Sequence, residues 1–263
     1  PEVKVKNDAY VPNHFTHLHV HSHFSILDGM SKVPDLIDKC TRSGMYSMAL
    51  TDHGNMFGIK EFADAANKYN GKIKDKIKEQ EKILNNEEST DSQKDDASVE
   101  IDILKKKMFK PIFGMEAYCA PVSIDKQDGR ADRGYHLILL AKNKQGYKSL
   151  CKLSSIAYID GFYYNPRIDH SLLEQYHEGL IVCSACLGGE LPQKIMNGDI
   201  EGAEKSLLWF KNIFGDDFYI EIQRHKTDKP NADTSTFERQ QQVNEILIQL
   251  ARKTNTKIIA TND

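Results

Sequence analysis

Five of the ten histidines in this 263-residue chain lie between His14 and His23. From Phe15 to Phe24 the text reads FTHLHVHSHF, with His17, His19, His21 and His23 in one register and Leu18 and Val20 in the other. A period of two is that of a β-strand, whose successive side chains face opposite ways. The pattern predicts a strand with one imidazole-rich face. Two imidazoles spaced His-x-His on a strand stand about 7 Å apart at Cα, close enough to chelate one ion or flank two.

The rest of the chain alternates strand and helix signals. Asp28-Gly29 reads as a turn. Ser31 to Gly44 reads as a helix, with Val33, Leu36, Ile37 and Cys40 at helical spacing and Gly44 as its C-terminal cap. Tyr46 to Thr51 is a short apolar strand running into TDHGN, and Phe57 to Tyr69 a second helix. Further strands are expected at 111–118, 135–141, 180–184, 218–222 and 257–261. Helices are expected at 147–158, 191–196 and 200–214, with a last one opened by a capping box at Ser235–Glu238. Strands alternating with helices imply a parallel sheet with helical crossovers. Without a GxGxxG or Walker loop, the expectation is an α/β fold of the β/α-barrel type rather than an open dinucleotide-binding sheet.

One stretch breaks the rhythm. Lys72 to Lys107 holds nine Lys, ten Asp or Glu and no aromatic residue. Ile73, Ile77 and Leu84, then Val99, Ile101 and Leu104, allow two thin amphipathic helices around the hydrophilic tip NNEESTDSQKDD; a disordered loop is the alternative. The segment, about residues 70–107, reads as a charged insertion projecting from a single domain spanning 1–263. The abrupt stop after Thr261-Asn262-Asp263 suggests the N-terminal part of a longer chain.

In a parallel barrel, functional residues gather where strands end. The first strand delivers His19 and His21, the second Asp52 and His53, the third Glu116. A later strand is followed by Cys183 and Cys186, another by Gln223, Arg224 and His225, and the last by Asp263. His136 sits at the start of its strand and fits less simply. Imidazole with carboxylate suits zinc, manganese or iron, and a thiolate favours zinc. The donors outnumber the needs of one ion, so two or three are expected, as in sites that cleave phosphoesters. Arg167, Arg224 and His225 are candidate contacts to phosphate or DNA, although Arg167 could equally pair with a carboxylate. Tyr163 and Tyr164 could stack on bases or simply pack. His14, His170 and His177 read as solvated residues; His17 and His23 share the histidine face and read as packing or covering the barrel, with metal contact as the alternative. Cys183-x-x-Cys186 has no second pair and is neither a zinc ribbon nor a redox pair in the right context.

Composition narrows the class. Thirty-five basic against thirty-eight acidic residues leave a net charge of −3, so no strong global steering toward nucleic acid is indicated. The longest aliphatic run, Leu137 to Ala141, is too short to span a membrane. PEVKVKNDAY has no apolar signal-peptide core. Five cysteines, an odd count, read as reduced thiols of a cytoplasmic protein.

FTHLHVHSHFSILDG, ALTDHGNMFG, PIFGMEAY, YHLILLAKNKQGYKSL, GFYYNPRID, LIVCSACLGGELP, FYIEIQRH and IIATND occur in this order. Together they closely resemble the N-terminal PHP (polymerase and histidinol phosphatase) domain of bacterial DNA polymerase III alpha subunits. The resemblance covers about residues 14–263 outside the insertion. It implies a distorted (β/α)7 TIM-like barrel with a three-metal site of zinc, manganese or iron. Carried over motif by motif, the ligands would be His19, His21, Asp28, His53, Glu116, His136, Cys186 and Asp263, with a further histidine expected two positions beyond Asp263. Glu116, Asp263 and His53 would carry catalysis. The implied activity is a metal-dependent 3′–5′ exonuclease on DNA within a nucleotidyltransferase chain. The implied partners are a DNA 3′ end, the rest of the polymerase and a proofreading exonuclease or other replisome subunits. A metal-stabilised scaffold that docks the exonuclease is the alternative; a small-molecule phosphatase such as histidinol phosphatase fits the polymerase-specific motifs less well.

Overall fold

The computed structural model describes residues 15–263 except 27, 228 and 230–232. Within it a seven-stranded sheet curls into a half-barrel with helices on its outer face. The elements in chain order are α1 (Val33–Arg42), β1 (Ser47–Leu50), α2 (Ile59–Leu84), α3 (Asp91–Lys106), β2 (Lys110–Cys119), β3 (Tyr135–Ala141), α4 (Lys144–Ile159), β4 (Arg167–Ile168), α5 (His170–Gln175), β5 (Leu180–Cys183), α6 (Glu190–Met196), α7 (Ile200–Phe214), β6 (Phe218–Gln223), α8 (Ser235–Thr254) and β7 (Lys257–Thr261). The strand order is β1-β2-β3-β5-β6-β7, with the two-residue β4 paired to β2 beyond the end of β1.

Period-two alternation sorts each strand between two cores. Met115, Ala117, Leu137, Leu139, Val182, Phe218 and Ile220 face outward and pack under α4, α6, α7 and α8. Ile138, Leu140, Cys183, Ala49 and, at its edge, Ile181, Tyr219 and Ile259 fill the concave side. A third cluster seats α1 and α2 against β1 through Val33, Ile37, Met48, Leu50 and Phe62.

The sheet is not wholly parallel, against expectation. β3 runs antiparallel to both β2 and β5, while β1–β2 and β5–β6–β7 are parallel. The start of β3 therefore lies at the same rim as the ends of its neighbours. This removes the difficulty with His136.

The first histidine segment is not a regular strand. It makes one backbone bridge, His17 to Met48. Ala49 N–H donates to His17 O and Thr51 N–H to Val20 O, so the segment follows the free edge of β1. Side-chain acceptors then replace the ladder: Thr51 Oγ1 takes Val20 N–H and Asp52 Oδ1 takes Ser22 N–H. Among the described residues no backbone pairing joins β7 to β1.

Residues 72–107 form a helical hairpin, and its first helix is longer than expected. α2 does not end at Tyr69 but runs on to Leu84 through Gly71, where no neighbour crowds the backbone. Ile73 and Ile77 meet Ile101 and Leu104 of α3. Each such side chain is worth about 1.5–3 kcal/mol when fully buried, enough to hold two otherwise polar helices together. Asn70 pins the base by bonding both the N–H and the carbonyl of Phe109. The expected capping box of α8 is absent. The cap is Thr234, whose hydroxyl donates to Glu238 Oε1, while Asp233 Oδ1 accepts from Ser235 N–H. No helix among the described residues is long and apolar enough to cross a membrane.

Candidate metal centre

The concave face turns polar at one rim. Glu116 of β2 is wholly buried there. His19 and His21 reach it from the leading segment, His53 from the loop after β1, and His136 from β3. Glu116 Oε1 lies 3.3 Å from His19 Nε2 and 2.8 Å from His136 Nδ1. Its Oε2 lies 3.2 Å from His21 Nε2 and 2.6 Å from His53 Nδ1. Asp263 Oδ1 comes within 3.6 Å of His19 Nε2 and 3.2 Å of His21 Nε2. Asp28 Oδ2 meets His53 Nε2 at 2.8 Å. Cys186 Sγ stands 3.5 Å from His136 Nδ1 and 3.8 Å from Glu116 Oε1. Five of the residues named from the sequence thus meet the Glu116 carboxylate, and Asp28 and Asp263 join through His53 and through His19 and His21.

Backbone detail aims them. Gly54 adopts φ +62 in the TDHGN turn, and a Cβ there would sit 2.7 Å from Pro166 Cγ. Gly188 lets the His136 ring lie flat against the chain, since a Cβ would approach it to 3.0 Å. Ala185 holds a left-handed φ of 62 just before Cys186.

Four of the donor atoms have no hydrogen-bond partner. His19 Nε2, His21 Nε2, His53 Nδ1 and Glu116 Oε2 are buried and approach one another without the alignment a hydrogen bond requires. Orphaned buried polar atoms are costly, and a cluster of them calls for an explanation. A cation shared among them is a sufficient one. Two groups are compact enough to hold a metal ion: His19, His21 and Glu116, and His53, Glu116 and His136. Imidazole nitrogens, a buried carboxylate and an adjacent thiol are a donor set for a divalent metal.

The surrounding hydrogen bonds fix which nitrogen each imidazole presents. Glu221 Oε1 sits 2.7 Å from His19 Nδ1, so that nitrogen donates to Glu221 and Nε2 is the one turned to Glu116 and available to a metal. Ser25 Oγ donates to Asp52 Oδ1 at 2.7 Å, leaving it to accept from His21 Nδ1 at 2.8 Å. Nε2 of His21 is freed in the same way. Such partners orient metal-binding histidines and raise their basicity. Asp52 therefore acts through Ser22 and Ser25 rather than at the centre itself. Glu221 was not foreseen. The signal was its place as the one carboxylate in the apolar strand text FYIEIQ, in register with Gln223.

The charges are strongly coupled. Burial would push the Glu116 carboxyl up, but the four imidazoles hold it well below the usual carboxylate range. Burial works to lower His21, yet Asp263 and Glu116 raise it to about 9. His19 is raised well above its ordinary value by Glu116 and Glu221 against the same burial. Burial pushes the Cys186 thiol up.

Other expectations change. Arg167 is not placed as a phosphate contact: it is fully buried, and four of its five N–H groups go to backbone carbonyls. Nε donates to Gly161 O at 3.0 Å, Nη1 to Lys126 O and Asp132 O at 2.9 and 2.8 Å, and Nη2 to Ile124 O at 2.6 Å. Arg224 is exposed just past β6. His225 lines a cleft of about 680 Å³ together with His19, His21, Asp28 and Asp263. His170 is not solvated: its ring stacks on Trp209 at 3.8 Å and bonds Glu190 Oε2 at 3.0 Å. His23 stays at the surface, and His14 lies outside the described residues. Tyr164 is exposed, with Arg133 4.6 Å over its ring, whereas the Tyr163 hydroxyl accepts from Gly129 N–H.

The chain is 42% identical over 251 residues to the DNA polymerase III subunit alpha of Borreliella burgdorferi, covering 95% of this chain and 18% of that protein. It is 35% identical over 259 residues to the subunit of the same name from Chlamydia trachomatis, covering 94% of this chain and 18% of the relative. The Deinococcus radiodurans subunit is 36% identical over 261 residues, covering 96% of this chain and 16% of the relative. The chain thus spans less than a fifth of the length of these relatives. The PHP domain model matches residues 17–225, from the leading histidines through the end of β6 and His225, and the chain belongs to that family.

Proposed function

We propose that the rim holds two to three divalent ions, zinc, manganese or iron, and hydrolyses phosphodiesters at DNA 3′ ends. The observation that carries this reading is the convergence of four unpartnered buried donor atoms around Glu116. His19, His21, His53, His136, Asp28, Cys186 and Asp263 would complete the ligand set, with Glu116 shared between the two compact groups. Bound divalent ions supply Lewis acidity to a phosphoryl oxygen and make a water nucleophilic at neutral pH. The protein's part is preorganisation. Glu221, Ser25 and Asp52 keep the Nδ1 protons of His19 and His21 in place and their Nε2 atoms free. The half-barrel is in this view a distorted (β/α)7 barrel, its gap covered by the leading segment. The polymerase to which the relatives belong would place a DNA 3′ end and the rest of that chain beside the domain.

Metal content of protein purified without chelator, and release of nucleotide from 3′-labelled single-stranded DNA, test the proposal. Two to three equivalents and a hydrolysis lost in Glu116→Ala and Asp263→Ala are expected. Unchanged hydrolysis by Glu116→Ala would refute it. The site also ties the leading segment, β2, β3, β6 and Asp263 to one another, which supports a second reading: a metal-braced scaffold that docks a proofreading exonuclease. A melting temperature that falls on metal removal, with no hydrolysis at any stage, selects that one.

A further inference from the structure

His225 follows β6 by two residues and shares the cleft with Asp263, His19 and His21. Its ring is held by one residue, Gln240, which is 3% exposed on α8. The two bonds between them leave no freedom in how the protons lie. His225 backbone N–H can only donate, and it donates to Gln240 Oε1 at 2.7 Å. That fixes the amide, so its NH₂ group faces His225 Nδ1 at 2.9 Å. An NH₂ group can only donate. Nδ1 must therefore hold the lone pair, and Nε2 must carry the proton. Nε2 is buried, and among the described residues it has no partner.

His19 is set the opposite way. A carboxylate, Glu221, faces its Nδ1 at 2.7 Å, nearer than the Gln223 amide at 3.3 Å, and turns Nε2 to the centre for a cation. An amide donor faces Nδ1 of His225 and leaves Nε2 with a hydrogen for an acceptor. Two histidines of one cleft are thus prepared for opposite partners by residues on β6 and α8. A second proton on His225 would place Nδ1–H against the amide hydrogens.

We propose that His225 is a fixed hydrogen-bond donor to the bound phosphoester, with Nε2–H on a non-bridging phosphoryl oxygen, and that it is not a metal ligand. This rests on the phosphoesterase reading above for the identity of the acceptor, whereas the tautomer follows from Gln240 alone. Such a donor positions the phosphate beside Asp263. Gln240 acts one step removed, as a positioning residue.

The two parts can be tested separately. Nitrogen-15 NMR of the ring in the metal-free chain should show a protonated Nε2 and an unprotonated Nδ1. Gln240→Glu should reverse this, because a carboxylate still accepts the His225 backbone N–H but draws a proton to Nδ1. A protonated Nδ1 in the unaltered chain would overturn the assignment. Inorganic phosphate titrated into metal-loaded protein is the second readout. His225→Phe should weaken it roughly five- to tenfold, the value of one neutral hydrogen bond. Metal content should not change. His225→Gln, whose amide can reach the Nε2 position, should restore most of the affinity, which a packing role would not explain. Loss of metal in His225→Phe, or unchanged phosphate affinity with metal in place, would overturn the proposal. If phosphate affinity shifts as expected while no DNA is hydrolysed, the donor role stands and the exonuclease reading falls.

Discussion

Arg167 offers the sharpest separation of a structural from a functional reading. Its guanidinium is fully buried and gives four hydrogen bonds to the carbonyls of Gly161, Lys126, Asp132 and Ile124, and among the described residues no carboxylate pairs with it. Those carbonyls lie in the loops between β2 and β3 and before β4, so one side chain ties two otherwise irregular stretches together. Arg167→Met removes all four bonds. A hydrogen bond to a charged group is worth about 1.5–3 kcal/mol, so the gross loss is about 6–12 kcal/mol. No longer burying a cation returns several kcal/mol of that. The net expectation is a loss of about 3–5 kcal/mol. Arg167→Lys keeps the charge but not the planar fork and should lose about half as much. Urea unfolding followed through Trp209 fluorescence measures both. With a slope of about 3 kcal/mol/M, the midpoint of Arg167→Met should fall by roughly 1–1.7 M. At a urea-free temperature well below melting, DNA affinity per folded molecule should be unaltered. A stability loss under about 1 kcal/mol combined with weakened DNA binding would refute the argument and restore Arg167 as a phosphate contact.

Three further outcomes are expected. Burial would raise Glu190, but His170, Lys194 and Ser206 bring it down to about 2. Its stabilising contribution, about 3 kcal/mol, is present above the unfolded value near 4.5 and disappears as pH falls toward 2, so Glu190→Gln should flatten acid unfolding in that window. The raised pKa of His21, about 9, has the opposite sign: chelated protein should lose stability as pH climbs from 6.5 through 9, while metal affinity rises over the same range because the Nε2 proton no longer competes, as titration with zinc at several pH values would show. Asp52→Ala removes the acceptor of Ser22 and Ser25, so His21 should lose its orientation and metal affinity should drop roughly 10–100-fold by equilibrium dialysis, with a stability loss of about 1–3 kcal/mol from the unsatisfied Ser22 N–H.

What could be read without coordinates was whatever depends on local pattern. The apolar run YHLILLA placed β3 at Tyr135–Ala141 to the residue, and apolar spacing placed α1, α7 and β6 closely. Most candidate donors were legible because donor residue types recur at strand ends; Asp28 came only from the family resemblance, and the sequence alone could not say that one carboxylate stands at the centre. Strand direction was not legible: nothing local marks β3 as antiparallel, and His136 looked misplaced only because of that. Arg167 was misread because an arginine and its carbonyl partners are separated by up to 43 residues, and carbonyls leave no trace in side-chain text. The leading histidine segment kept its period but not its ladder, since Thr51 and Asp52 offered side-chain acceptors where a strand would have offered carbonyls.

The same alternation explains why the centre lies where it does. On the concave face, β3 carries His136, Ile138 and Leu140 in turn, and β6 carries Tyr219, Glu221 and Gln223. Because β3 is reversed, both runs pass from polar to apolar in the same spatial direction. The apolar half holds the strands together and excludes water beneath the donors. The polar half is left with side chains whose only neighbours are one another. A buried carboxylate among four imidazoles is stable in that setting only with compensating positive charge, from protons or from metal. That exchange ties the two states of the centre together: the protons that hold Glu116 ionised are the ones that a metal must displace. A domain built this way should bind metal with a steep rise from acid to neutral pH. A metal affinity independent of pH between 6 and 8 would mean that the imidazoles are not protonated in the metal-free chain, and that the orphaned atoms around Glu116 are satisfied in some other way.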